Sequence, residues 1–133
     1  MVSNKTHVDT NQLGDLEADV MGIVWEKGRA TVRDVREALE PRRPLAYTTV
    51  MTVMSRLARK GLLKQHKLGR GFVYSPKTSQ EKLAGSMLRS LVRRFYDGAA
   101  VKAISHLLET EEEIDEAELA RLEEIIRAKR GTR

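Results

Sequence analysis

The chain has 133 residues, of which 41% are hydrophobic and 32% charged, a net charge of +5 and no cysteine. Its length and composition allow a folded domain of the usual ~100–150 residues with a helical appendage and exclude two large domains. Disulfides, thiolate metal sites and thiol nucleophiles are excluded; no apolar run approaches the ~20 residues needed to span a bilayer, and the opening MVSNKTHVDTNQ lacks a signal-peptide core, so a cytoplasmic setting is expected.

Residues 1–12 read as a flexible N-terminus. Leu13, Leu16, Val20, Ile23 and Val24 then recur at helical spacing up to Gly28, a natural stop, with Trp25 as a core anchor. Thr31 and Asp34 match a capping box that opens a second helix, striped by Val32, Val35 and Leu39 and ended by Pro41 and Pro44. Val50, Val53, Met54 and Leu57 fall at i, i+3, i+4 and i+7, which predicts a third helix stopping at Gly61. Its start is weakly specified, because Ala46 offers no capping side chain.

After Gly61 the pattern shortens to two strand-like stretches, Leu62 to Lys67 and Phe72 to Tyr74, joined by Leu68-Gly69-Arg70-Gly71. Three helices followed by a basic hairpin are the order of a winged helix-turn-helix, assigned to residues 13–76 and closed by Pro76. Arg42, Arg43, Arg56, Arg59, Lys60, Lys64, Lys67 and Arg70 stand between Pro41 and Ser75 with no Asp or Glu among them, a cationic field suited to a polyanion.

Beyond Pro76 the charges balance, and residues 77–130 read as a helical dimerisation region. Thr78 and Glu81 suggest a cap for a helix carrying Leu83, Met87, Leu88, Leu91 and Phe95, which Asp97-Gly98 breaks. Ile104, Leu107 and Leu108 mark a further helix, and Asp115 with Glu118 caps a last one striped by Leu119, Leu122, Ile125 and Ile126. Too little chain remains to build a second core. Two copies burying these stripes against each other, at ~1.5–3 kcal/mol per buried Leu or Ile, is the economical arrangement. The fold class is therefore mostly α with a small β-wing.

At 100° per residue, the third helix turns Thr48, Thr52, Ser55 and Arg59 away from its apolar stripe, flanked by Thr49, Met51 and Arg56. A helix in the major groove needs short hydroxyl and methyl groups near base edges and cations reaching phosphates beyond them. Tyr47 is placed to offer its hydroxyl to a phosphate, Lys60 continues the basic flank, and Arg70 at the wing tip suits the backbone or the minor groove. His7, His66 and His106 lie far apart without acidic or histidine neighbours at ligand spacing, so neither a metal nor a cofactor is expected.

The stretch Leu45 to Leu63, LAYTTVMTVMSRLARKGLL, closely resembles the recognition helix of the penicillinase repressor family, that of BlaI and MecI. The resemblance extends upstream through Leu13-Gly14-Asp15-Leu16-Glu17 and Val20-Met21 to Trp25, and downstream through Gly71-Phe72-Val73-Tyr74 and Phe95-Tyr96-Asp97-Gly98. It implies a homodimer that blocks transcription from a pseudo-palindromic operator until a membrane sensor metalloprotease triggers cleavage of the dimerisation region in an antibiotic response. Staphylococcal members are cut at an Asn-Phe bond, where this chain carries His106-Leu107, and copper-responsive relatives use C-terminal cysteines that this chain lacks.

The residues thus point to a sequence-specific DNA-binding repressor acting on double-stranded operator DNA. The alternative is a winged-helix protein-interaction module whose exposed helix docks an acidic protein. No activated nucleophile, paired carboxylate in a pocket motif or phosphate-cradling glycine loop supports an enzyme.

Overall fold

The computed structural model describes residues 13–132; the expected flexible segment over residues 1–12 lies outside the described residues. Helix α1 (Asp15–Lys27) opens on Gly14 and is stopped by Gly28, whose φ of 81° lets its N–H reach the Val24 carbonyl at 2.7 Å. A two-residue strand β1 (Ala30–Thr31) follows, too short to leave a periodic signal in the sequence. Thr31 and Asp34 form the expected capping box of α2 (Val32–Leu39), with Thr31 Oγ1 accepting from the Asp34 N–H and Asp34 Oδ2 from the Thr31 N–H, each at 3.0 Å.

Helix α3 (Tyr47–Arg59) starts without a side-chain cap at Ala46, as its sequence predicts, and buries Val50, Val53, Met54 and Leu57. It ends in a Schellman motif: Leu62 N–H donates to Leu57 and Gly61 N–H to Ala58, both at 3.0 Å, with Gly61 at φ 86°. That turn delivers the chain directly into the hairpin.

The hairpin is tighter than its sequence suggests. β2 (Leu63–Leu68) pairs antiparallel with β3 (Gly71–Pro76), Leu68 facing Gly71, so the loop is Gly69-Arg70 rather than the four residues from Leu68 to Gly71. Gly69 has φ 62° while Arg70 does not take a positive φ, the pattern of a type II′ turn that matches strand twist. β1 pairs with the far side of β3, Ala30 facing Tyr74, giving the sheet order β1-β3-β2. Val73 and Tyr74 are buried, and Gln65 Nε2 donates to the Tyr74 hydroxyl at 2.8 Å, so the buried ring keeps a partner for its polar end.

The contacts divide the chain into two compact units after Ser90. The first has one core, built from Val20, Met21 and Val24 of α1, Val35 and Leu39 of α2, the α3 stripe, Leu62, Leu63 and Tyr74. It continues past Pro76: Leu83 at the start of α4 (Gln80–Phe95) is buried in this core, and Met87 packs on it half-buried. The cap of α4 is Ser79, whose Oγ accepts the Lys82 N–H at 3.0 Å, and not the Thr78–Glu81 pair. Thr78 has another role, its carbonyl accepting the Trp25 indole N–H at 2.9 Å and pinning this segment to α1. Trp25 is accordingly a half-buried anchor at the edge of the core.

In the second unit, Asp97 (φ 51°) and Gly98 (φ 79°) turn the chain after α4, with the Gly98 N–H donating to Val92. Helix α5 (Ala100–Thr110) follows, and Tyr96 hydroxyl and His106 Nδ1 share a 2.8 Å hydrogen bond within this unit. Asp115 caps α6 (Glu116–Gly131), its Oδ1 accepting the Glu118 N–H at 2.9 Å. Ala103 is buried, whereas α6 buries no residue.

Candidate nucleic-acid interface

The buried stripe of α3 fixes the orientation of everything else on that helix. With Val50, Met54 and Leu57 at 0% exposure, Tyr47, Thr48, Thr49, Met51, Thr52, Arg56 and Arg59 are all exposed, and Ser55 is half-buried. Thr52 Oγ1 donates to the Thr48 carbonyl one turn back, at 2.9 Å, so its hydrogen is committed and its lone pairs stay available. The outer face is continuous with the wing's first strand: Ser55 and Arg59 line a shallow depression with Lys64, Gln65 and Lys77. Lys77 joins this basic surface because its N–H bonds the Leu62 carbonyl at 2.9 Å, a position its place after Pro76 does not advertise.

The cationic field divides into two groups. Arg42, Arg56, Arg59, Lys64, Lys67 and Arg70 are exposed, and none has an acidic partner among the described residues. Arg43 instead pairs with Asp19 at 3.3 Å, and Lys60 Nζ contacts both Glu17 oxygens at 3.0 and 3.2 Å. Lys60, expected to continue the basic flank, is therefore paired within the chain rather than left open as Arg59 is. By helical geometry Lys60 lies only about 70° from the centre of the buried stripe, whereas Arg59 lies about 170° away. The acids that neutralise Lys60 and Arg43 come from α1, so the acid-free run from Pro41 to Ser75 gives no hint of them.

Arg70 sits at the solvent-exposed tip of the wing. The Asp34 carboxyl is held below the ordinary aspartate range, chiefly by the Thr31 backbone N–H. Among the described residues no group of metal-ligating side chains is placed to hold an ion.

Of the residues expected to dimerise, Leu88, Leu91, Phe95, Ile104, Leu107, Leu108, Leu119, Ile125 and Ile126 are exposed and Leu122 is half-buried. Phe95, at 69% exposure, carries the Arg94 guanidinium 5.7 Å from its ring centroid.

Three helices on one core, a Schellman turn into a basic two-stranded wing, and a hydroxyl-lined helix flanked by unpaired cations define a winged-helix DNA-binding protein. The sequence model of the family described as "Penicillinase repressor" matches residues 13–128. Over 100 residues, the chain is 44% identical to the "Transcriptional regulator BlaI" of Mycobacterium tuberculosis, covering 74% of this chain and 72% of that one. It is 31% identical over 109 residues to the "Penicillinase repressor" of Bacillus licheniformis, covering 79% and 85%. The solution structure of the DNA-binding domain of the repressor BlaI aligns with a TM-score of 0.48 at 33% identity, covering 53% of this chain and 85% of that domain. The chain belongs to the penicillinase repressor family and is a DNA-binding transcriptional repressor, not an enzyme. No helix among the described residues is long and apolar enough to cross a membrane.

Proposed function

We propose that the chain works as a homodimer in the cytoplasm, placing two copies of α3 in successive major grooves of a pseudo-palindromic operator and so excluding polymerase. Residues 13–76 supply the DNA-binding domain and residues 77–130 the dimerisation region. Thr48, Thr49, Thr52, Ser55 and Arg56 face the bases, Tyr47 and Arg59 the neighbouring phosphates, and Arg70 of the wing the backbone or minor groove. The observation that carries this reading is the exposed hydroxyl face of α3, set opposite a fully buried stripe and beside cations without acidic partners. Support for pairing comes from the large apolar side chains that α5 and α6 leave exposed, Ile104, Leu107, Leu108, Leu119, Ile125 and Ile126, which is what a partner surface would cover.

Alanine variants of Thr48, Thr52 and Arg56, titrated against operator and scrambled duplexes at fixed salt, test the reading surface. Loss of discrimination is expected in the threonine variants and a weaker, less salt-sensitive complex in the arginine variant. Unchanged discrimination and affinity in all three would sink it.

The inducing partner in this proposal is a membrane sensor metalloprotease; the position at which staphylococcal members are cut carries His106-Leu107 in place of Asn-Phe, so the site of any cut in this chain is left to experiment. Following the intact chain by immunoblot after adding a β-lactam checks this, with a truncated fragment as the expected result.

A further inference from the structure

Glu17 makes two connections at once. Its Oε1 accepts the Gly14 N–H at 3.1 Å, closing the cap of α1, and both oxygens receive the Lys60 ammonium at 3.2 and 3.0 Å. Exposed pairs such as Arg33–Glu37 are loosened by salt and side-chain entropy. The Glu17–Lys60 pair is shielded, with side chains 12% and 18% exposed, and it is charge-assisted at two points.

Lys60 is the C-cap residue of α3, one turn beyond Arg56, and both line the depression between α3 and the start of α1 that Glu17 closes. The ammonium thus sits at the margin of the DNA-facing surface while a carboxylate of the same chain takes its charge. Arg56, one turn away, is left open to solvent.

Resting on the assignment of α3 as the base-contacting helix, we propose that Glu17 sets the level of sequence-independent DNA binding by masking Lys60. Phosphates attract any free cation regardless of sequence, while base edges alone separate the operator from other DNA. Holding Lys60 on Glu17 removes one sequence-blind contact from the rim of the surface and leaves the hydroxyl face intact. Less repressor is then diverted to the excess of competing sites.

The test uses the full chain, titrated by fluorescence anisotropy against a non-operator duplex between 50 and 200 mM salt. Glu17→Gln keeps an acceptor for the Gly14 N–H and frees the lysine, so its slope of log affinity against log salt steepens by about 0.9, an extra ~3.5-fold loss across that range. The double variant E17Q/K60Q returns to the wild-type slope. Asp15→Asn, which removes a charge from the same depression without freeing a lysine, leaves the slope unchanged.

A steepening in Asp15→Asn equal to that in Glu17→Gln would reduce the effect to net charge and overturn the masking. So would a double variant whose slope falls below wild type, because Lys60 would then already be on a phosphate. Thermal melts identify a variant that fails to fold; if Glu17→Gln does, Glu17→Ala takes its place, with the same steepening expected and an unchanged slope overturning the masking. Arg59→Gln separates the two levels of the reading. If it lowers the slope by about 0.9 while Glu17→Gln changes nothing, the masking alone is wrong; if it changes nothing, the α3 surface and the masking fall together.

Discussion

Replacing Thr52 with valine isolates one hydrogen-bond acceptor on the proposed reading surface. Thr52 Oγ1 donates its single hydrogen to the Thr48 carbonyl at 2.9 Å, so toward DNA the hydroxyl acts as an acceptor, suited to the amino group of adenine or cytosine. Valine keeps the branching, the size and the helix propensity of threonine, and the side chain is exposed, so fold stability should change by about 0.5 kcal/mol or less. One such hydrogen bond contributes a net ~0.5–1.5 kcal/mol, and at ~1 kcal/mol its loss weakens operator binding about fivefold. Thr52 carries no charge, so affinity for a scrambled duplex and the salt slope should both hold. Thr52→Ser, which retains the acceptor, should keep most of the operator affinity. Anisotropy titrations on both duplexes at one salt concentration, with thermal melts as controls, give the result. Equal losses on operator and scrambled DNA, or valine matching wild type on both, would refute the acceptor role.

Leu57→Ala empties a fully buried site on the α3 stripe and should cost about 2–5 kcal/mol, read as a large drop in denaturation midpoint. Thr31→Ala removes the cap of α2 and should cost about 1 kcal/mol in chemical denaturation. The partner carboxyl gives that cap a pH signature. The Asp34 pKa is depressed in the folded chain, first by the Thr31 N–H, so its contribution is complete above the ordinary aspartate value and disappears as pH falls through the lowered one. The stability gap between wild type and Asp34→Asn should therefore be constant near neutrality and close on acidification, in denaturant titrations at a series of pH values. Finally, Leu107→Asp places a charge on the exposed apolar face of α5 and should yield a monomer in sedimentation, with weakened binding to a two-half-site operator and unchanged binding to a single half-site.

Much of this protein is written in short-range pattern. The four-residue stripe of α3, the glycine stops at 28 and 61, and the capping boxes at Thr31 and Asp115 all concern neighbours within about one turn, which is why the helices and the exposed hydroxyl face could be read before any coordinates. Features that depend on distant partners could not. The two-residue strand β1 exists only because β3 lies beside it, and the bond from the Trp25 indole to the Thr78 carbonyl joins residues 53 positions apart. Lys60 shows the difference most directly. Sequence made it one more cation in an acid-free run; packing brought Glu17 from 43 residues upstream into contact and took its charge out of the field. Periodicity determines which side of a helix is apolar, whereas the pairing of a charge depends on the few ångströms between side chains that only the assembled core sets.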